Sequence, residues 1–180
     1  MPAQNSAIIY LGLACMSALV GAVYDWRCRR IPNALTGPVA LLGLTVHLAL
    51  GGWHSFASAL LAGLTAGGVF LLFFLAGGMG GGDVKLAAAA SCCAGLQYLA
   101  GILIATALAG GIMALALALA SGKARQTVSN IGTLLFHHAA AGLGPHPNLN
   151  LRNVSTLRLP YGVAICAGTT MTLLRVVQVR

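Results

Sequence analysis

Acidic side chains are almost absent from this chain: two aspartates, Asp25 and Asp83, and no glutamate stand among 180 residues. Charge of either sign is scarce, at 7% of residues where about a quarter is usual for a soluble domain, and that excludes an ordinary water-soluble fold. Hydrophobic residues make up 58% of the sequence and mean hydropathy is +0.89, so the composition is that of an integral membrane protein. The cysteines offer little chemistry. Cys15, Cys28, Cys92, Cys93 and Cys166 contain no Cys-x-x-Cys pair and lie mostly in or beside apolar runs, which points away from a disulfide framework and from a zinc site. A basic n-region is missing ahead of the first apolar run, so that run is expected to be kept as a membrane helix.

What the chain has instead is length in apolar segments. Divided by the roughly 20 residues that cross a bilayer, it leaves room for about six helices. We expect an all-α integral membrane protein in a single transmembrane domain over residues 1–180. The formal net charge of +8 could invite nucleic acid. The basic residues, however, sit in short connections between apolar runs, where they act as topology signals and as contacts for anionic lipid, and no nucleic-acid partner is expected.

In chain order, the first helix is expected over 7–24, ending in Asp25-Trp26-Arg27-Cys28-Arg29-Arg30, an abrupt return of charge. Pro32 suits the first turn of a second helix over 33–50. Gly51 to Ser55 reads as a turn, and a third helix over 56–76 carries Gly63-x-x-x-Gly67, a spacing that lets helices pack closely. Gly80-Gly81-Gly82 is too costly for a helix interior, so Asp83 is expected to open a fourth helix over 84–96. A turn near Gln97-Tyr98 then leads to a fifth over 99–120. Val128, Ile131, Leu134, Leu135 and His138 recur at helical spacing and predict a short interfacial helix. Residues 142–153 read as loop, and Pro160-Tyr161-Gly162 introduces a sixth helix reaching 177. With both ends outside, eight of the ten basic residues fall on the cytoplasmic side, and Asp25 and Asp83 meet at that same boundary. Arg175 and Arg180 fall on the other side.

Ionisable groups at a membrane boundary are costly and functional by default. Two carboxyl groups sharing one proton can activate water, one as base and the other protonating the carbonyl, with no metal or cofactor. Asp83 sits at a helix N-terminus and Asp25 at a helix C-terminus, so the macrodipoles favour charge on Asp83 and predict that Asp25 holds the shared proton. Plainer readings exist. Asp25 could pair with Arg29 at i+4, and Asp83 could be only a helix cap. His137, His138 and His146 are more simply polar surface than metal ligands, and Cys92-Cys93 is more simply small apolar packing.

Asp25-x-x-x-x-Arg30-Ile31-Pro32-Asn33, taken with Gly80-Gly81-Gly82-Asp83-Val84-Lys85-Leu86 and with Pro160-Tyr161-Gly162, resembles the type IV prepilin peptidases. The resemblance implies a membrane aspartic endopeptidase of the bacterial inner membrane that cuts prepilin or pseudopilin precursors at the cytoplasmic face, between a short basic leader and an apolar helix. It implies Asp25 and Asp83 as catalytic, with Arg30, Pro32, Asn33, Gly80, Gly82 and Lys85 in substrate binding or structural support. The bifunctional members carry a domain with paired Cys-x-x-Cys motifs and methylate the new N-terminus. No such domain is present here, so methylation is not expected, and the size is similar to that of the minimal peptidases of tight-adherence (Flp-type) pilus systems. A small proton-coupled transporter or channel subunit is a different reading, but it would place acids near the midplane of broken helices, whereas both lie at segment ends. The presenilin-like proteases share Tyr24-Asp25 and Gly-x-Gly-Asp, yet the chain lacks their Pro-Ala-Leu element.

Overall fold

The computed structural model describes residues 2–122, 124–142 and 159–178, and among them the chain is helical with no strand. Six elements follow one another: α1 (Pro2–Cys28), α2 (Asn33–Leu75), α3 (Gly81–Ala94), α4 (Leu96–Ala120), α5 (Ala124–Ala141) and α6 (Tyr161–Gln178). Three stretches are long and apolar enough to cross a membrane: Ser6–Cys28, Asn33–Leu75 and Leu96–Ala120. The expected loop over 142–153 lies almost wholly outside the described residues.

Straight, the 43 residues of α2 would extend ~65 Å, about twice the hydrocarbon thickness of a bilayer. They fold back instead at Gly52, whose backbone (φ 66, ψ −163) is out of reach for most side chains. The second and third expected helices are therefore the two arms of one hairpin. Both arms lie along α3. Gly43 on the first arm meets Cys93, and on the second arm Gly63 meets Cys92 while Gly67 comes 3.3 Å from Ala88 Cβ. The Gly63-x-x-x-Gly67 spacing works as read, and the two cysteines fill space left by glycines.

Nine of the fourteen residues of α3 are buried, and the helix touches α1, α2, α4 and α6. It is the hub of the bundle. From α1, Ala18 joins Leu86 and Ala90 in one apolar cluster, and Leu11 and Ala14 join Cys93 and Ala94 in another. α6 runs antiparallel to α4, with Gly101 beside Thr172, Thr106 beside Gly168 and Gly110 beside Ala164.

Several helix limits depart from expectation, and α1, expected over 7–24, runs from Pro2 to Cys28, so Asp25, Trp26 and Arg27 are still helical. α3 begins at Gly81, because glycine in a first turn costs less than in a helix interior and Asp83, three residues after the N-cap Gly80, caps that turn. The break before α4 falls at Gly95 rather than at Gln97-Tyr98. Gly95 has φ 84, and a Cβ there would lie 2.9 Å from His47 Cε1. His47, buried, latches this end of the bundle. Its Nδ1 pairs with Ser55 Oγ (2.7 Å), its Nε2 donates to the Cys93 carbonyl (3.0 Å), and its ring stacks on Tyr10 at 3.7 Å. The carbonyl can only accept, so Nε2 carries the proton.

A methyl group at Gly43 would lie 2.9 Å from Cys93 Cα and N, which are backbone atoms that cannot rotate away. Gly43→Ala should therefore cost about 1–3 kcal/mol and lower the melting temperature in detergent. Gly12, with nothing within 4 Å of a Cβ, should accept alanine with the melting temperature unchanged or raised.

Candidate active site

Asp25 lies in the last turn of α1, half-buried, and takes its hydrogen bond from far along the chain. The Gly162 N–H, in the first turn of α6, donates to Asp25 Oδ2 at 2.9 Å. The i+4 pairing with Arg29 is replaced by a backbone contact, since Arg29 takes a left-handed conformation (φ 49) and its N–H donates to the Asp25 carbonyl at 2.9 Å. That conformation ends α1 and sends the chain into Ile31-Pro32.

Asp83 sits in the first turn of α3 and is 8% exposed. Asp83 is not the N-cap, which is Gly80, but the third helical residue, from which it caps backwards: the Gly80 N–H donates to Asp83 Oδ2 at 3.3 Å. The other oxygen, Oδ1, is buried and has no partner among the described residues. Asp83 stands outside the three membrane-length helices, two residues before exposed Lys85. Burial raises its pKa from an ordinary 3.8 to about 7, the Asp25 carboxyl adds to the rise, and the Gly80 N–H offsets part of it.

The two acids of the chain thus come within electrostatic reach of each other, from α1 and from α3. Their proton is placed opposite to expectation. The dipole argument considered only the helix that carries each residue, but Asp25 lies against the N-terminus of α6, while Asp83 is sealed among apolar neighbours. The proton belongs on Asp83.

The two motif segments also meet. Lys85 Nζ donates to Asn33 Oδ1 at 2.8 Å, and a Cβ on Gly82 would come 3.1 Å from Ile31 Cβ. Gly80 is the N-cap of α3, and a Cβ there would sit 3.1 Å from Asp83 Oδ2. These glycines keep room for neighbours inside the protein itself. Pro32 is the N-cap of α2 rather than its first helical residue, and its carbonyl accepts from Leu35 N at 3.0 Å. Arg30 is exposed. Gly162 and Tyr161 were read from sequence as a helix start and as part of the family resemblance, with no partner assigned to either. The single local hint was a glycine just behind Pro160, and its partner 137 positions away has no sequence signature.

A model of the type IV leader peptidase family matches residues 12–115, more than half of the chain and both aspartates. The chain belongs to the type IV leader peptidase family. As a member it is a peptidase, and its apolar helices make it a membrane protein. The match runs from α1 into α4, so the start of α6, with its bond to Asp25, lies beyond the stretch of this leader peptidase that the family model covers. No curated protein and no solved structure matches the chain.

Because Asp83 has a raised value in the folded protein, the cost of ionising it is absent below about pH 4, grows up to about pH 7 and then levels off. The melting temperature of Asp83→Asn should accordingly gain on wild type from pH 4 to 7 and keep a constant lead above. In Asp25→Asn the nearby charge is gone and burial remains. Carboxyl ¹³C titration should then find Asp83 below its wild-type value of about 7 but still above 3.8.

Proposed function

We propose that this leader peptidase is an aspartic endopeptidase that removes the short basic leader from type IV prepilin-like precursors at the cytoplasmic boundary of the bacterial inner membrane. The observation that carries the reading is the meeting of the chain's only two acids in unlike surroundings, one hydrogen-bonded by a helix N-terminus and one buried with a free oxygen. Such a pair divides the work of general base and general acid.

Asp25, as carboxylate, takes a proton from a water molecule whose oxygen attacks the scissile carbonyl carbon. Asp83 gives its proton to the carbonyl oxygen, and a gem-diol results. Asp25 then passes its newly gained proton to the amide nitrogen, the C–N bond breaks, and a gem-diol hydroxyl returns a proton to Asp83. The pair ends in its starting state, with one water consumed.

The proposed arrangement has α1, the two arms of α2, α4 and α6 through the membrane, with the part of α3 beyond Lys85, only ~14 Å long, enclosed among them and α5 lying in the interface. In that arrangement the basic connections face the cytoplasm. The leader is itself basic, so anionic lipid rather than the enzyme collects it, and the substrate's apolar helix docks laterally beside α1, whose Met16, Leu19, Val20 and Val23 are exposed.

Co-expression of candidate prepilins with wild type, Asp25→Asn and Asp83→Asn tests the proposal by gel shift. Wild type should shorten a prepilin, and each variant should lose at least about 1,000-fold in rate, as expected when an acid or base is removed from a pair. Above pH 7 the wild-type rate should fall about tenfold per unit as Asp83 loses its proton. Processing that survives both substitutions would sink the two-aspartate mechanism. Proton flux through vesicles without any prepilin cleavage would favour a transporter.

A further inference from the structure

We propose that Gly162 is a positioning residue of this peptidase: its N–H, at the start of α6, holds the Asp25 carboxylate in place for water activation, and its lack of a side chain makes the space that carboxylate occupies. The inference rests on the aspartic-peptidase reading given above and names the part of the chain that completes the pair.

The need for an outside donor follows from helix geometry. Asp25 is in the last turn of α1, where N–H groups are already spent on helical bonds and carbonyls point outward. A negative charge there faces the unfavourable end of its own helix dipole. Asp83 has no such need, because the Gly80 N–H at the start of its own helix reaches it. Only another element can supply Asp25.

α6 is built to do so. Its first turn leaves N–H groups without an i−4 helical acceptor, and Pro160 marks the helix start just ahead of them. The Pro160 carbonyl accepts from Val163 N at 3.1 Å, and the Gly162 N–H is aimed at Asp25 Oδ2 at 2.9 Å. A Cβ on Gly162 would lie 3.0 Å from Asp25 Cβ, 3.1 Å from Asp25 Oδ2 and 3.2 Å from Ala22 Cα. Two of these are the stem of the carboxylate and the α1 backbone, so alanine must push either Asp25 or α6 aside. Tyr161 keeps the helix start in register, packing on the cluster that contains Ile31, Met79 and Leu86 from both motif segments. Of the titratable groups on the elements packed against α1, the Asp83 carboxyl interacts with both Asp25 and Tyr161.

Two variants separate the donor from the space. Gly162→Ala keeps the N–H and adds a methyl. Replacement of Gly162 by glycolic acid, through nonsense suppression, turns the amide into an ester and removes the donor while adding no bulk. With a purified prepilin, Gly162→Ala should lower kcat about 100-fold and the ester about 10-fold or more, both with KM unchanged. A fold defect alone would instead reduce the amount of active enzyme, which active-site titration corrects for.

An activity-independent readout accompanies this. In ¹⁵N-glycine-labelled enzyme, the Gly162 amide proton should move upfield in Asp25→Asn and stay in place in Met171→Ala, a change at an exposed position farther along α6. An ester variant with wild-type kcat, or an amide resonance indifferent to Asp25→Asn, overturns the positioning role. A wild type that cleaves no prepilin, with the amide still answering to Asp25→Asn, overturns the peptidase reading instead and leaves the hydrogen bond standing.

Discussion

A carboxyl group enclosed by apolar helices must either find donors or keep its proton, and much of this structure follows from that constraint. Asp83 keeps its proton, since α3 is the hub of the bundle and offers one oxygen a cap and the other nothing. Asp25 finds a donor, because α6 starts where α1 ends. With a single kind of side chain, two environments yield two chemically different groups.

Bringing the groups together depends on small residues. Glycines on both arms of α2 let α3 settle between them, with Cys92, Cys93 and Ala88 as the opposing surface. The Gly52 reversal returns the end of α2 to the level at which it began, so Ile31, just ahead of the first arm, and Phe74, near the end of the second, both touch the glycines that open α3. His47 closes the other end, joining α1, both arms of α2 and the end of α3 through one imidazole.

Much of this was legible before any coordinates. The apolar runs, the scarcity of acids, the helix boundaries near Asp25 and Pro160, the Gly63-x-x-x-Gly67 contact and the packing role of Cys92-Cys93 are local in origin, and local patterns carry them. What escaped is what depends on distant partners. Gly95 rather than Gln97-Tyr98 breaks the chain because His47, nearly fifty positions earlier, fills the space a side chain would need. Asn33 meets Lys85 across 52 positions. The dipole argument for the proton looked only at each residue's own helix, whereas the N–H that meets Asp25 belongs to a helix 137 positions downstream and burial favours the protonated form of Asp83. Helix-end arguments confined to one helix fail where two helix ends abut.

The bond between Gly162 and Asp25 also bears on how the protein is made. Chain synthesis delivers α1, α2 and α3 to the membrane well before α6, so Asp25 and Asp83 can come together while Asp25 still lacks its donor. A nascent protein at that stage holds both carboxyl groups and neither division of labour nor alignment. On the proposed mechanism, the pair is complete only once α6 has joined the bundle and its first turn faces Asp25.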